Sequence, residues 1–189
     1  MTGGATRAGL FHTLGVLKMR GFLIVCAGLA MAGAAVAQPA SVSVALKGPK
    51  GEDMGKATLT EAPKGVVLKI EAKGLTPGWH GLHFHEKGDC SSADFKSAGG
   101  HVHGGATMVH GLLNPDANEA GDLPNLYIGA DGTGAAEVFS PWTSLSGAGS
   151  RTALQDKDGS AVVVHAKADD HMTQPIGGAG DRVACAVVK

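Results

Sequence analysis

Residues 82 to 90 read LHFHEKGDC and set two histidines one residue apart, in a stretch with the alternation of a β-strand. Successive side chains of a strand point to opposite faces, so His83 and His85 should share one face while Leu82 and Phe84 share the other. Two imidazoles on one face, backed by an apolar face, are well suited to holding a metal ion. Further ligands must then come from elsewhere in the chain.

Histidines are the most promising source of those ligands. Nine occur in the chain, and eight of them lie beyond residue 37, at predicted strand ends or in irregular segments: His80, His83, His85, His101, His103, His110, His165 and His171. Their clustering with the turn-borne acids Asp122 and Asp169 favours a metal site over isolated polar histidines. The sequence has no G-x-S-x-G motif and no Gly-rich phosphate loop at a strand–helix junction, which disfavours serine hydrolases and nucleotide-binding proteins.

The elements that must position these residues are predicted to be strands. Short alternating runs bounded by Gly, Pro, Asp and Asn occur at 41–48 and 66–74, and in the stretches HGLHFHE, AAEVFS, SAVVVHA and RVACAVV. Asp-Gly turn signals and 30 glycines suit many tight turns. The pattern predicts an all-β antiparallel sandwich or barrel. Two segments without alternation, 86–125 and 166–182, are predicted to be long functional loops.

The first 37 residues differ from the rest and resemble a secretory signal peptide. Lys18 and Arg20 precede the apolar run GFLIVCAGLAMAGAAV, and AVA at 35–37 fits a cleavage site before Gln38. Met19 is a candidate for the true start. The run is short for a membrane span, so we expect an exported, periplasmic protein with no membrane attachment after cleavage. The single remaining domain is 38–189.

Charge and cysteine content narrow the function further. Residues 1–37 carry three basic residues and no acidic one, so their removal changes the formal net charge from −1 to −4. A mildly acidic domain with scattered charges is not typical of a nucleic-acid-binding protein. Cys90 and Cys185 are the two cysteines left after cleavage, and in an exported protein they are predicted to form one disulfide. The loop of about 100 residues that it closes would stabilise the fold by about 4 to 5 kcal/mol.

Five ordered motifs carry a family resemblance. HGLHFHEKGDC, SAGGH, GDLPNL, VVVHAKADD and GAGDRVAC, in this order, resemble the bacterial exported form of the copper/zinc superoxide dismutase family over essentially all of 38–189. The resemblance implies a Greek-key β-barrel. It also implies dismutation of superoxide to O2 and H2O2 by a copper ion cycling between Cu(II) and Cu(I), with a structural zinc ion beside it.

The resemblance also assigns roles to individual residues. It implies copper ligands at His83, His85, His101 and His165. His101 would bridge copper to zinc as an imidazolate and take part in catalysis, and His110 and Asp122 would complete most of the zinc site. Asp169 matches a carboxylate that hydrogen-bonds one histidine ligand of each metal, and Cys90 and Cys185 match the family disulfide. Arg182 matches the arginine beside copper that attracts superoxide, with Lys87, Lys96 and Lys167 as weaker sources of positive charge.

The chain departs from the family pattern at the zinc site. A third zinc histidine is usual nine residues after the first zinc-only histidine, and that position here is Glu119. Glu119 either ligates zinc or points to solvent, and His103, in GGHVHG, is an alternative ligand. Asp181, immediately before Arg182, could weaken the attraction of superoxide.

These departures leave a second function open. The alternative is a copper-binding or copper-delivery protein on the same fold, with weak catalysis because of the altered zinc site. The presence of all four copper positions and Arg182 favours the enzyme. A homodimer is an open possibility for the quaternary structure.

Overall fold

The structure is a computed structural model that describes residues 1, 3, 4, 38–105 and 107–189. The predicted signal peptide at 1–37, apart from those first residues, lies outside the described part of the chain. Ala37–Lys189 forms one compact unit. Within the described residues, no helix has the length and apolarity needed to cross a membrane.

The described residues form eleven strands and two short 3₁₀ helices. The strands are β1 (Ser41–Lys47), β2 (Asp53–Ala62), β3 (Gly65–Lys73), β4 (Gly78–His80), β5 (Leu82–His85), β6 (Leu126–Ile128), β7 (Thr133–Ser140), β8 (Thr143–Ser144), β9 (Thr152–Ala153), β10 (Ser160–His165) and β11 (Arg182–Val188). The 3₁₀ helices are Lys96–Ala98 and Ala148–Ser150. The prediction of an all-β protein is therefore confirmed.

Seven strands form one antiparallel sheet in the order β5-β10-β11-β1-β2-β3-β7. The first three strands follow one another by short turns, whereas the last strand, β11, returns to lie beside β1. A strand that returns by a long connection to the side of the first is the feature of Greek-key topologies. Two small sheets, β4 with β6 and β8 with β9, complete the fold. The topology places β10 beside β5, where the histidine pair lies, and β11 beside β10.

β5 separates an apolar core from the histidines. Leu82 and Phe84 are fully buried in the main core, together with Leu46, Leu68 and Leu126. Burial of each such side chain contributes about 1.5 to 3 kcal/mol to stability, which holds β5 firmly in place. The intervening residues of β5, His83 and His85, are equally buried. The predicted alternation of β5, with Leu82 and Phe84 in the apolar core and the two histidines outside it, is therefore present.

Backbone hydrogen bonds attach the long loop 86–125 to β5. The N–H of Phe84 donates to the carbonyl oxygen of Gly121 (2.9 Å), and the carbonyl oxygen of Phe84 accepts from the N–H of Val102 (2.8 Å). A Cβ atom at position 121 would lie 2.3 Å from the Phe84 oxygen, so this approach requires glycine. Isolated β-bridges pair His83 with Asp122 and His85 with His101.

The other side of the site is built at the ends of β10 and β11. Their register shifts between Val164 and His165, and beyond the shift His165 lies opposite Arg182. Such a bulge bends a strand and redirects its side chains. The predicted disulfide is present: Cys90, in the first long loop, is bonded to Cys185 on β11. It ties the loop to the sheet beside the histidines.

Candidate metal centre

Four histidines converge at the end of the sheet. His83 and His85 come from β5, His101 from the first long loop, and His165 from the end of β10. One ring nitrogen from each lies within 4.8 Å of the corresponding nitrogen of every other. All four residues are buried, with at most 3 % of their surface exposed.

The converging nitrogens have no hydrogen-bond partner in the part of the chain that the structure describes. They are Nδ1 of His83 and Nε2 of His85, His101 and His165. A buried polar atom without a partner costs about 1 to 3 kcal/mol, and four such atoms side by side indicate a place made for a ligand. Four imidazole nitrogens form a donor set that copper accepts. The residues present therefore fit a copper ion.

The protonation of three of these rings is set by their other nitrogen. That nitrogen faces an oxygen in each case: His83 Nε2 faces Asp169 Oδ2 (2.8 Å), His85 Nδ1 faces the Gly99 carbonyl (3.0 Å) and His165 Nδ1 faces the Gly180 carbonyl (3.0 Å). These oxygens can only accept, so the facing nitrogens carry the proton and donate it. The lone pair of each ring is thereby directed to the centre of the cluster.

Burial keeps these three histidines neutral. It lowers the pKa of His83 to about 3 and that of His165 to about 4, and it lowers the pKa of His85 well below its usual value. Nearby cationic groups, such as Arg182 beside His85 and His165, lower it further. Metal ions bind the neutral imidazole, so protons do not compete for these nitrogens at neutral pH.

A second cluster adjoins the first and consists of two imidazoles and two carboxylates. Nδ1 of His101 lies 2.7 Å from Glu119 Oε2 and 3.0 Å from Asp122 Oδ1. Nδ1 of His110 lies 3.2 Å and 2.9 Å from the same two oxygens. Each of the two nitrogens thus contacts both carboxylate oxygens, and two nitrogens with two such oxygens are a donor set typical of zinc. The residues present therefore fit a zinc ion, with Glu119 among them.

Protons are strongly held in this second cluster. Burial alone would lower the pKa of His110, but hydrogen bonds to Asp122, Asp169 and Glu119 outweigh it and raise the pKa to about 11. Burial is likewise outweighed at His101, whose pKa is raised by Asp122 and Glu119. A cation at this position would release those protons, because the same nitrogens and oxygens would bind it instead.

One imidazole, that of His101, belongs to both clusters, and one carboxylate, that of Asp169, contacts both. His101 directs Nδ1 to the carboxylates and Nε2 to the other histidines. Asp169 accepts from Nε2 of His83 (2.8 Å) through one oxygen and from Nε2 of His110 (3.1 Å) through the other. The imidazole contacts hold the pKa of the Asp169 carboxyl far below its usual value, against the effect of burial. The two clusters therefore share an imidazole and are linked by a carboxylate.

A cavity of about 470 Å³ gives access to the histidine cluster. Its lining includes His165, Arg182, Asp181, Asp94 and Lys96. The guanidinium of Arg182 is fixed by donation to the carbonyl oxygens of Phe95 (2.7 Å) and Gly99 (2.6 Å). Burial lowers the pKa of Arg182, but an arginine stays charged in proteins. Lys96, one of the lysines predicted as a weaker source of positive charge, lines the same cavity and forms an ion pair with Asp94 (3.0 Å).

The remaining histidines have other contacts. Nδ1 of His103 lies 2.6 Å from the Gly105 carbonyl, and its Nε2 lies 3.5 Å from Glu86. His103, the alternative zinc ligand, therefore lies apart from the cluster of His101, His110, Glu119 and Asp122. His80 contacts the carbonyl oxygens of His165 (2.6 Å) and Thr76 (2.8 Å), so it links backbone segments.

Two residues near the clusters, Asn125 and Gln174, were not singled out from the sequence as functional, and His171 was considered only as one of eight candidate histidines. Nδ1 of His171 lies 3.4 Å from Asp169 Oδ2, and the amide of Asn125 donates to the carbonyl oxygen of Asp169 (2.8 Å). Gln174 contacts the backbone of His110. Their sequence context offers no ligand spacing, and only proximity in the fold reveals them.

Fold and site together define an all-β metalloprotein with a histidine-rich redox centre beside a mixed nitrogen and oxygen centre. The family model described as copper/zinc superoxide dismutase (SODC) matches residues 54–188. The chain belongs to this family. It is a superoxide dismutase whose cofactors are copper and zinc, as the resemblance implied.

Known relatives agree with this assignment. The chain is 65 % identical over 149 residues to "Superoxide dismutase [Cu-Zn]" of Caulobacter vibrioides, covering 79 % of this chain and 86 % of that protein. A solved structure of a SOD-like protein from Bacillus subtilis matches with a TM-score of 0.72 and 37 % identity, over 79 % of this chain and all (100 %) of the other. The Cu/Zn superoxide dismutase from Brucella abortus matches with a TM-score of 0.64 and 32 % identity, with the same coverage, 79 % and 100 %.

Proposed function

We propose that His83, His85, His101 and His165 hold the catalytic copper ion. The observation that carries this proposal is the convergence of four buried ring nitrogens that lack any hydrogen-bond partner. Three of the rings are oriented by donation from their other nitrogen, so the site is preorganised for a metal. Bound copper supplies one-electron chemistry, by which one superoxide is oxidised to O2 and a second is reduced and takes up two protons to give H2O2.

The zinc ion is proposed to bind to His101, His110, Asp122 and Glu119. Support comes from the four contacts of 2.7 to 3.2 Å that join these nitrogens and oxygens. The inclusion of Glu119 gives the site two carboxylates, which neutralise the charge of a divalent cation. Asp169 holds His83 and His110 in the orientations that both metals need.

His101 is proposed to supply a proton to the reaction. Its Nδ1 is occupied by the carboxylate cluster, so its Nε2 is the atom at which a proton can be held and released towards the histidine cluster. With zinc on Nδ1, a ring that carries this proton on Nε2 would be neutral, and the contacts of Nδ1 with Glu119 and Asp122 hold the ring in place. The proton is thus held on the ring beside the cavity that superoxide enters.

Arg182 is proposed to attract the anionic substrate. Its guanidinium lines the cavity together with His165, and two carbonyls hold it in place while leaving other N–H groups free to donate. A fixed positive charge in a confined opening concentrates small anions and raises their association rate. The negative net charge of the whole chain makes this local charge more important.

The alternative of a copper-delivery protein has less support. Delivery requires that copper be released, whereas the four ligands here are fully or almost fully buried and three are fixed by hydrogen bonds. In addition, a positively charged Arg182 in the cavity would attract an anionic substrate, whereas copper transfer gives no reason for it. The enzyme is the function that the geometry supports best.

Metal content and turnover of the purified protein test the proposal together. We expect one copper and one zinc per chain and rapid superoxide dismutation, with electron paramagnetic resonance showing nitrogen coupling to copper. Copper alone with slow turnover would support the delivery protein. Copper without coupling to histidine nitrogen would contradict the ligand assignment.

Export of the protein to an oxidising compartment such as the periplasm is also proposed. The Cys90–Cys185 disulfide supports it, because disulfides persist in such compartments.

Formation of a homodimer is a further proposal, for which Trp79 and Tyr127 offer a surface. Their rings are 4.9 Å apart, and both residues are more than half exposed. Cell fractionation tests the location, and analytical ultracentrifugation of wild type against Trp79→Ser tests the pairing.

A further inference from the structure

The second long loop, 166–182, forms hydrogen bonds with the backbone of His110. The side-chain oxygen of Gln174 accepts a hydrogen bond from the N–H of His110 (2.9 Å). The side-chain nitrogen of Gln174 donates to the carbonyl oxygen of His110 (2.8 Å) and also to that of Met172 (3.0 Å). One planar amide thus satisfies both backbone groups of His110, as a neighbouring strand would.

The two loops meet at this point through their backbones as well. The N–H of Leu113 donates to the carbonyl oxygen of His171 (3.1 Å). A Cβ atom at Gly111 would lie 2.2 Å from that same oxygen, and Gly111 has a φ of +119°, so this position requires glycine. The contact at Gln174 is therefore part of a close and specific junction between the loops.

We infer that Gln174 is a positioning residue for His110 and so for zinc binding. The inference rests on the proposed role of His110 as a zinc ligand. Asp169 fixes the ring of His110 at Nε2, but one contact at the tip of a side chain leaves the backbone free to shift. The two bonds from Gln174 fix that backbone, so Nδ1 of His110 stays directed at Glu119 and Asp122.

Gln174 also connects zinc to the loop beside copper. The loop that carries Gln174 continues to Gly180, whose carbonyl oxygen orients His165 (3.0 Å). A zinc ion that holds His110 in place stabilises the partner of Gln174 and, through it, this loop. Outer residues that orient metal ligands typically change metal affinity 10- to 100-fold when they are replaced.

Zinc affinity of two Gln174 variants tests the inference. Gln174→Ala removes the amide, and Gln174→Met keeps the length of the side chain but neither donates nor accepts. Gln174 is exposed, so neither variant disturbs the core. The matched control is Gln155→Met, because Gln155 is also exposed and also donates to a backbone oxygen, that of Lys189 (2.7 Å). Zinc dissociation constants are measured by competition with a chelator, and the visible absorption of Co2+ bound in place of zinc reports its ligand geometry.

We expect both Gln174 variants to bind zinc about ten-fold more weakly and to change the Co2+ spectrum, with the Gln155 control unchanged. The unfolding temperature of the metal-free protein should not differ between the Gln174 variants and the control. Wild-type zinc affinity in either Gln174 variant would overturn the inference, and so would an equal loss in the control. A His110→Ala variant separates the two proposals: if it binds zinc like wild type, the proposed zinc site itself is wrong.

Discussion

The two halves of the metal centre are built in different ways. The proposed copper half takes three of its four histidines from β5 and β10, and its inward nitrogens have no hydrogen-bond partner among the described residues. The zinc half takes its residues from the loop 86–125, and its nitrogens and oxygens are paired with one another. The inward nitrogens of the first half are oriented by hydrogen bonds at the far side of their rings, whereas the polar atoms of the second half are paired with one another.

This difference has a physical consequence for metal binding. In the proposed site, copper would meet neutral nitrogens that are already oriented, so little would have to be rearranged or deprotonated. Zinc would have to displace protons shared between His101, His110 and the two carboxylates. Zinc affinity should therefore respond to residues that organise the loops, whereas copper affinity should respond chiefly to its own ligands.

The largest effect is expected when a ligand that belongs to copper alone is removed. His85→Ala should lower copper affinity by more than about 100-fold, beyond the loss typical of an outer residue, and abolish dismutation. Zinc affinity should stay at the wild-type value, because His85 touches none of the zinc oxygens. Copper and zinc dissociation constants are measured separately, with His103→Ala as the control. A parallel loss of zinc would mean that the halves are not built independently.

Removal of the shared carboxylate should affect both halves. Asp169→Asn keeps the size of the side chain but cannot accept from both His83 and His110 as a charged group, so zinc affinity should fall by about 10- to 100-fold and copper affinity by less. The neighbouring Asp170→Asn is the control, since Asp170 contacts only its own loop, at Met172 and Thr173. Equal effects of the two variants would show that loss of negative charge, and not the bridge, is responsible.

Replacement of Glu119 should affect zinc and not copper, the reverse of the result expected for His85. Glu119→Gln should weaken zinc about ten-fold and leave copper unchanged, because Glu119 contacts only Nδ1 of His101 and His110. Glu137→Gln, at an exposed position on β7, controls for the lost charge. Isothermal titration with each metal checks the result. Unchanged zinc affinity would remove Glu119 from the ligand set.

The rate of reaction with superoxide should depend on the charge beside the copper half. Arg182→Ala should lower the second-order rate of dismutation about ten-fold at low ionic strength, and Arg182→Lys should lower it less, because the charge is kept. Pulse radiolysis over a range of salt concentrations measures this rate, with metal content checked in each variant. A rate of Arg182→Lys no better than that of Arg182→Ala would point to the carbonyl contacts of Arg182, and not its charge.

Asp181 should give the smallest effect. It lines the same cavity as Arg182, and Asp181→Asn should raise the rate by no more than about two-fold at low salt, with the gain lost once the Debye length shortens. The same pulse radiolysis series measures the change. A rate that is independent of ionic strength in both proteins would show that this acid does not influence superoxide.

The sequence indicated all four histidines that converge in the structure, but the residues of the second cluster only in part. The His-x-His spacing on a strand and the alternation of β5 follow from local geometry, so they are visible without a structure. Glu119 was suspected only because it occupies a position where the family has histidine. Gln174 could not have been found, because it lies 64 residues from His110 and no motif relates them.

The all-β fold was predicted, but β2, β6, β8, β9 and all of β4 except His80 lie outside the predicted strands. β2 was not among the predicted strands, although it is the longest one described, at ten residues. Its pairing with β1 skips Met54, so the apolar residues Met54, Ala57 and Leu59 do not alternate regularly along the chain. A bulge of this kind breaks the period of two on which strand prediction depends. Pairing with a partner strand, which no local window contains, restores the order.

Gly121 limits which loop segments could be exchanged between related proteins. Because a side chain there would collide with the Phe84 carbonyl oxygen, any chimera that imports the first loop from a relative must also import a glycine at this point. A donor segment without it would have to detach from β5. Such a graft would then part His101 from the three strand-borne histidines, even if every ligand had been transplanted faithfully.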